Sequence, residues 1–293
     1  MALDARAARL RDRLRGTLIA APATPMTATG EVDLDLLSRY FAGLVADGAD
    51  GLAVLAHTGR GPFLPPETRA AVIERAVALG VPVIAGVGGS AVEEAQVAAE
   101  LGADGVLVFP AEGDRVAGHE AVWEAAGLPM IAFDLYTMPC PPAVLRKIVD
   151  HPGVAGLKTA LLADAMGCQE TIAITRQAGK LAITGEDRMF GPSLLWGAEA
   201  ALVGIAAAAV EVTKDVLRAF AGSDLRRFDQ ASARLDRLAE QTFTAPMEGY
   251  VQRMLWVAAD EGRIPESHAF DLYGPPLEAR RPVEAVITAV QER

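Results

Sequence analysis

Eight short apolar runs recur along the 293 residues: Thr17–Ala23, Gly51–Ala56, Pro82–Val87, Gly105–Pro110, Pro129–Asp134, Val154–Lys158, Leu181–Thr184 and Ala201–Ala206. Segments with helical spacing lie between them. A strand, a crossing helix and a second strand give a parallel pair, and a parallel sheet has to be covered by helices. Eight such units match an α/β fold of the (β/α)8 TIM-barrel type better than an open doubly wound sheet. No Gly-x-Gly-x-x-Gly turn opens the first helix, which further disfavours the open sheet. Gly86-Val87-Gly88-Gly89-Ser90 is glycine-rich but follows the third strand with the wrong spacing.

The joins repeat as well. Asp47-Gly48-Ala49-Asp50-Gly51-Leu52, Leu101-Gly102-Ala103-Asp104-Gly105-Val106 and Trp196-Gly197-Ala198-Glu199-Ala200-Ala201 each offer a glycine for the left-handed residue after a helix, a short turn, then a strand. Leu34, Leu37, Phe41, Leu44 and Val45 share one helical face that Asp33 can cap, and Ser90 with Glu93 has the capping-box pattern. Residues 1–15 read as a short amphipathic lead-in helix, 16–222 as the barrel and 223–293 as a C-terminal helical extension packed on it. Helices are expected over Thr213–Phe220, Leu225–Gln241 and Met247–Ala259, followed by a Pro- and Gly-containing stretch from Ile264 to Pro282.

With 51% hydrophobic and 22% charged residues, the chain is ordered and can bury a large core. Its net charge of -11 argues against nucleic acid as a partner. The first fifteen residues carry five arginines and no apolar segment, unlike a secretory signal, and the longest apolar stretch, Ala200–Val210, falls short of the roughly 20 residues that span a bilayer. A cytoplasmic protein acting on small molecules, without a membrane partner, is the expectation. Cys140 and Cys168 lack metal-type spacing, and His119, His151 and His268 are scattered, so neither metal nor cofactor is expected.

Barrel active sites lie at the C-terminal ends of the strands. The residues there are Thr24, His57-Thr58-Gly59-Arg60, Gly88-Gly89-Ser90, Phe133-Asp134 with Tyr136, Lys158-Thr159 and Gly185-Glu186-Asp187. Lys158 stands out because it ends the apolar run Gly153-Val154-Ala155-Gly156-Leu157. Burial disfavours an ammonium and lowers its pKa, which lets a lysine condense with a carbonyl to a Schiff base. Strand alternation puts Val154, Gly156 and Lys158 on one side, and Gly156 would leave space beneath the amine for substrate. The plainer alternative pairs Lys158 with Glu186 or Asp187.

These motifs resemble the dihydrodipicolinate synthase and N-acetylneuraminate lyase family of Schiff-base barrels from about Gly16 to Ala259. The resemblance rests on Gly16-Thr17 with Thr24-Pro25, Asp50-Gly51-Leu52 leading to His57-Thr58-Gly59, Gly86 to Ser90, Gly102 to Val106, Gly156-Leu157-Lys158 and Gly185-Glu186-Asp187. It implies that Lys158 forms an iminium with a 2-oxo acid such as pyruvate, that groups at His57 and Thr58 hold the carboxylate, and that the chain forms a homodimer or homotetramer. The departures are specific. Phe133-Asp134 replaces the family's Tyr-Asn pair, so the phenol that relays protons is missing. His57 and Arg60 replace the first threonine and the glutamate of a Thr-Thr-Gly-Glu loop. Pro110 to Asp114 lacks the tyrosine that family members place across a subunit contact, and Leu135 to Pro139 lacks the Gly-Arg-Thr whose arginine takes a second carboxylate. These changes point away from dihydrodipicolinate synthesis itself.

The candidate catalytic residues are therefore Lys158, His57 as replacement acid–base group, and Tyr136. Tyr136 has the wrong strand parity and reaches the site only if the chain bends after Asp134. Candidate substrate contacts are Thr58, Arg60, Phe133, Asp134, Gly185 and Leu202. Arg60 could present its fork to a carboxylate or sit in a solvent-facing ion pair, and Asp134 could cap a helix or hold Arg60. The leading function is a Schiff-base lyase or aldolase, with a dehydratase or hydratase variant open. The rivals are a non-catalytic ligand-binding barrel and a sugar-phosphate isomerase or aldolase, the latter weakened by Glu199 near where a phosphate would sit.

Overall fold

The computed structural model describes residues 3–222 and 224–277. Its strands are β1 (Leu18–Ala20), β2 (Gly51–Val54), β3 (Val83–Val87), β4 (Gly105–Val108), β5 (Met130–Leu135), β6 (Val154–Ala160), β7 (Leu181–Thr184) and β8 (Ala200–Val203). Each runs parallel to the next, and β8 pairs with β1 to close the barrel. The helices among the described residues are α1 (Ala5–Leu14), α2 (Leu34–Ala46), α3 (Pro66–Val77), α4 (Ala91–Glu100), α5 (Arg115–Ala126), α6 (Pro142–Val149), α7 (Ala165–Gln177), α8 (Phe190–Leu195), α9 (Val210–Ala221), α10 (Leu225–Thr242) and α11 (Tyr250–Asp260). None is long and apolar enough to cross a membrane. The expected closed α/β barrel is observed.

Local chemistry explains the units. Gly48 and Gly102 take left-handed angles, φ 111° and 85°, where a helix must stop and turn. The acid that follows each of them is used: Asp50 accepts from the Leu18 amide at 2.7 Å and Asp104 from the Val83 amide at 2.9 Å, tying each corner to the foot of a neighbouring strand. Asp33 caps α2 by accepting from Asp35 and Leu36. Ser90 makes no capping bond. Glu94 instead accepts from the Gly88 amide at 2.7 Å and pairs with Arg69, so the first turn of α4 is held by a different carboxylate from the one its pattern indicates.

Strand alternation divides the core into two layers. Leu52, Val54, Val83, Val106, Met130, Leu157 and Val203 pack outward against the helices. Ile19, Ala53, Ile84, Leu107, Ile131, Leu181, Ile183 and Leu202 fill the interior together with Ala7, Leu10 and Leu14 of α1. Helix α1 thus plugs the N-terminal end of the barrel. A Cβ on Gly105 would come within 2.7 Å of Leu10 Cδ2.

The register of β5 on β6 slips between Met130↔Val154 and Ile131↔Gly156. That extra residue corrects one expectation: Val154 packs outward, whereas Gly156 and Lys158 face inward beside Ile131 and Phe133. Gly156 leaves no space for substrate either. A Cβ there would meet Leu181 O at 2.6 Å and Ile183 Cδ1 at 3.3 Å, so the glycine serves close packing of β6 on β7.

Beyond β8, α10 packs on α9 and α8, and α11 packs on α10. The stretch expected from Ile264 is described to residue 277 and lies against the barrel rim. Gln252 Nε2 donates to Ala269 O at 2.7 Å, the Asp271 amide donates to Gln252 Oε1 at 2.9 Å, and Tyr273 stacks on Phe63 with centroids 5.2 Å apart. Residues 278–293, the remainder of the extension expected to 293, lie outside the described residues.

Candidate active site

Among the described residues, four non-glycine residues adopt left-handed angles: Leu55 and Arg60 after β2, Leu162 after β6 and Ala209 after β8. All follow the C-terminal ends of strands. Such angles cost on the order of 1–3 kcal/mol each and persist where the surroundings enforce them. At Leu55 the enforcement is visible. Its carbonyl occupies the space where Gly61 or Gly86 would otherwise carry a Cβ, so both glycines are required for the chain to turn into His57. Thr24 Oγ1 donates to Gly59 O at 2.8 Å and steadies the same turn.

Lys158 is 4% exposed, and its Nζ lies 4.2 Å from the centre of the Phe133 ring. Burial pushes its pKa below 10.5, against the opposing pull of Asp187 and Glu186. Neither carboxylate forms a close ion pair with it. Glu186 accepts from the Leu161 and Leu162 amides at 2.6 and 2.8 Å and from Thr159 Oγ1 at 3.3 Å, and Asp187 accepts from the Ile205 amide at 2.7 Å. Burial raises the pKa of both acids, which disfavours a fully charged pair with the lysine. Gly185 clears the path of the amine: a Cβ there would overlap Lys158 Cε and lie 2.8 Å from Thr159 O.

Lys158 opens into a narrow cavity at the C-terminal end of the barrel. His57, Thr58, Phe133, Tyr136 and Gly185 line it, as do Leu135, Ala160, Leu162, Asp187 and Gly204. Tyr136 arrives because β5 ends at Leu135 and the chain turns, with the Met138 amide donating to Leu135 O at 2.8 Å. The required bend therefore falls one residue later than expected. Its hydroxyl donates to Glu248.

Three expected contacts are placed elsewhere. Asp134 points to the helix side of the sheet, where it accepts from the Cys140 amide at 2.8 Å and Thr171 Oγ1 at 2.9 Å; it neither lines the cavity nor holds Arg60. Leu202 sits in the interior layer, and the cavity begins two residues further on, at Gly204. Arg60 is 3% exposed and neither faces solvent nor lines the cavity. Its Nη1 donates to Glu248 Oε2 at 2.7 Å and its Nη2 to Asp271 Oδ2 at 2.7 Å. Burial, which would lower its pKa, is outweighed by these two acids.

Phe243, Glu248 and Tyr250, which the sequence reading left out, come from the end of α10 and the start of α11. Tyr250 is 4% exposed and stacks on Phe243 with centroids 4.7 Å apart. Its hydroxyl lies 3.1 Å from Thr58 Oγ1 and 3.2 Å from His57 Nδ1. Across the imidazole, His57 Nε2 is 3.4 Å from Glu248 Oε1. Burial brings the His57 pKa down to about 4 despite Glu248, so the ring is neutral at pH 7. At Glu248, burial is outweighed by His57, Tyr136 and Arg60, and the group remains a carboxylate. One signal could have found Tyr250. The chain has four tyrosines, and with the usual position taken by Phe133 any replacement phenol must be among them.

A wider groove between α9, α10 and the end of α2 holds Asp47, Asp215, Arg218, Arg234, Glu261 and Arg263. Its charges are taken up in ion pairs such as Arg234–Asp215 at 2.7 Å, and it contains no inward-facing nucleophile. Among the described residues no three His, Cys, Asp or Glu side chains are grouped as metal ligands.

Several known proteins are similar to this chain in sequence or in fold. The 4-hydroxy-tetrahydrodipicolinate synthase of Synechococcus sp. (strain WH7803) is 35% identical over 205 residues, 62% of this chain and 66% of the relative. The 4-hydroxy-tetrahydrodipicolinate synthase 1 of Streptomyces coelicolor is 30% identical over 253 residues, 80% of this chain and 81% of the relative. The crystal structure of dihydrodipicolinate synthase from Oceanobacillus iheyensis superposes with a TM-score of 0.86 at 17% identity, covering 98% of this chain and 100% of that one. A chloride-inhibited dihydrodipicolinate synthase from Acinetobacter baumannii, complexed with pyruvate, gives 0.83 at 21% identity, with coverage of 94% and 99%. N-acetylneuraminate lyase from Mycoplasma synoviae gives 0.78 at 18%, with coverage of 96% and 98%. These structures share the fold. The sequence profile of the Dihydrodipicolinate synthetase family matches residues 14–263, and the chain belongs to that family.

Proposed function

We infer that this protein is a Schiff-base-forming lyase of the class I aldolase type, acting on a pyruvate-type 2-oxo acid. The observation that carries the reading is the Lys158 amine, buried on an aromatic ring, depressed in pKa and facing a cavity that holds an imidazole and phenols. The neutral amine attacks the ketone, and loss of water gives an iminium whose nitrogen draws electrons from the neighbouring carbon. That carbon can then lose a proton or a carbon substituent. His57 and the hydroxyls beside it are within reach of each other to move the proton, and Thr58 with the amides of its turn can hold the substrate carboxylate. Family membership and the pyruvate bound to the Acinetobacter relative support a 2-oxo acid donor.

The second partner is open between two readings. The names of the curated relatives favour 4-hydroxy-tetrahydrodipicolinate synthesis. The cavity wall favours a less charged acceptor, because Arg60 is already bound to Glu248 and Asp271 and the remaining walls include Leu135, Ala160, Leu162 and Phe243.

Borohydride trapping with a panel of 2-oxo acids, followed by peptide mass mapping, tests the reading. A reduced adduct on Lys158 with at least one acid, absent in Lys158→Ala, is the expected result. A protein that binds 2-oxo acids without any adduct is the non-catalytic barrel instead.

A further inference from the structure

We propose that Tyr250 is the catalytic phenol of this site, working as a relay in which its hydroxyl faces His57 Nδ1 and His57 Nε2 faces Glu248. The proposal rests on the Schiff-base reading of Lys158 and assigns the step that follows iminium formation. Strand β5 supplies only Phe133 beneath the amine. A phenol nevertheless reaches the same cavity from the first turn of α11, on the far side of the chain sequence.

Its surroundings are fitted to it. Gly204, just after β8, leaves room for Thr58 and Tyr250 to meet: a Cβ there would lie 2.7 Å from Thr58 Oγ1 and 3.2 Å from Tyr250 Cε2. The stack on Phe243 fixes the ring, and Thr58 and His57 are both at hydrogen-bonding distance from the hydroxyl. Because Glu248 is a carboxylate, the His57 tautomer that suits it carries its proton on Nε2. Nδ1 is then left as an acceptor for the Tyr250 O–H. Phenol, imidazole and carboxylate stand in the order of a hydroxyl activated by a base that a third group orients. Tyr136 and Arg60 bind the same Glu248, which makes that acid a positioning residue.

The step balances within these groups. The C–H bond next to the iminium breaks, its electron pair becomes the C=C bond of an enamine, and the C=N π pair returns to Lys158 Nζ. The proton forms an O–H bond at Tyr250 as the original Tyr250 proton passes to His57 Nδ1, giving an imidazolium beside Glu248. Reversal of the same path delivers a proton back through Tyr250.

The test needs no acceptor: deuterium uptake at C3 of pyruvate in D2O, followed by proton NMR, run beside borohydride trapping of the same protein. Tyr250→Phe keeps the ring and its stack. At unchanged Tm it should still yield the Lys158 adduct while exchange falls by about 10²-fold or more. Exchange at the wild-type rate, or loss of trapping together with exchange, overturns the proposal. A wild-type protein that neither traps nor exchanges defeats the underlying Schiff-base reading instead. Glu248→Gln gives an independent readout. His57 is faced by Glu248, Tyr250, Tyr136, Arg60, Lys158 and Asp271, and of these Glu248 contributes the largest pull toward protonation. With Lys158 saturated by pyruvate, so that adduct formation does not limit exchange, its neutralisation should move the acid limb of the exchange profile to lower pH, and an unmoved limb removes Glu248 from the relay.

Discussion

Replacing Gly185 with alanine adds one methyl group at the point where Lys158 crosses from β6 toward the cavity. That carbon would overlap Lys158 Cε, lie 3.0 Å from Lys158 Cγ and lie 2.8 Å from Thr159 O. Ordinary carbon contacts are about 3.5–4.0 Å, so Lys158 Cε must withdraw by more than about 1 Å. The backbone cannot supply that movement cheaply. The Gly185 amide donates to Thr159 O at 2.7 Å, and β6 and β7 are laddered through Thr159↔Thr184 just before it. The lysine side chain therefore moves, and a displacement of reacting atoms by about 1 Å costs on the order of 10²-fold in rate, or about 2.7 kcal/mol of barrier. The assay is the rate at which pyruvate and borohydride modify Lys158, read by mass spectrometry, with Tm as the control for folding. A Gly185→Ala protein with wild-type Tm and wild-type trapping rate refutes the claim that this glycine sets the position of the amine.

Other outcomes follow from the same contacts. Arg60→Met strands Asp271, whose side chain is 1% exposed, and should lower stability by about 3–5 kcal/mol in urea unfolding; a loss below about 1 kcal/mol means the pair is not buried as described. Gly86→Ala drives a Cβ into the Leu55 carbonyl and should cost about 2–3 kcal/mol in thermal unfolding, whereas a neutral result would mean the Leu55 turn is free to relax. Because only the uncharged amine attacks a ketone and burial lowers the Lys158 pKa, adduct formation should rise with pH and level off well below 10.5. A rise that continues to the ordinary lysine value would show an amine in contact with water.

The fold was legible because its signals are local and repeated. The corner glycines and the acids after them act within a few residues, and the apolar runs report strands covered on both sides. Lys158 was legible for the same reason, as a charge ending such a run. The placement of Asp134 could also have been read, since the alternation that turns Phe133 inward turns Asp134 outward. Val154 could not: a register slip adds one residue on one strand only, and a period of two carries no mark of it. Arg60 and Tyr250 were hidden by distance along the chain. Their partners lie 188 to 211 and 192 to 193 residues away, and nothing in the local pattern of either segment specifies the other. The site was half visible because β-strand ends supply half of it and the distant α10–α11 junction supplies the rest.

Helix α1 gives the barrel a floor, and a vessel with a floor has one doorway. Whatever bonds to Lys158 lies beneath anything that enters afterwards, so traffic is last in, first out. If Lys158 captures a ketone, the water released has to pass His57, Tyr136 and Tyr250, which line the cavity, before a second molecule can settle there. A compound lodged at that rim would block arrival and departure at once, without touching the amine.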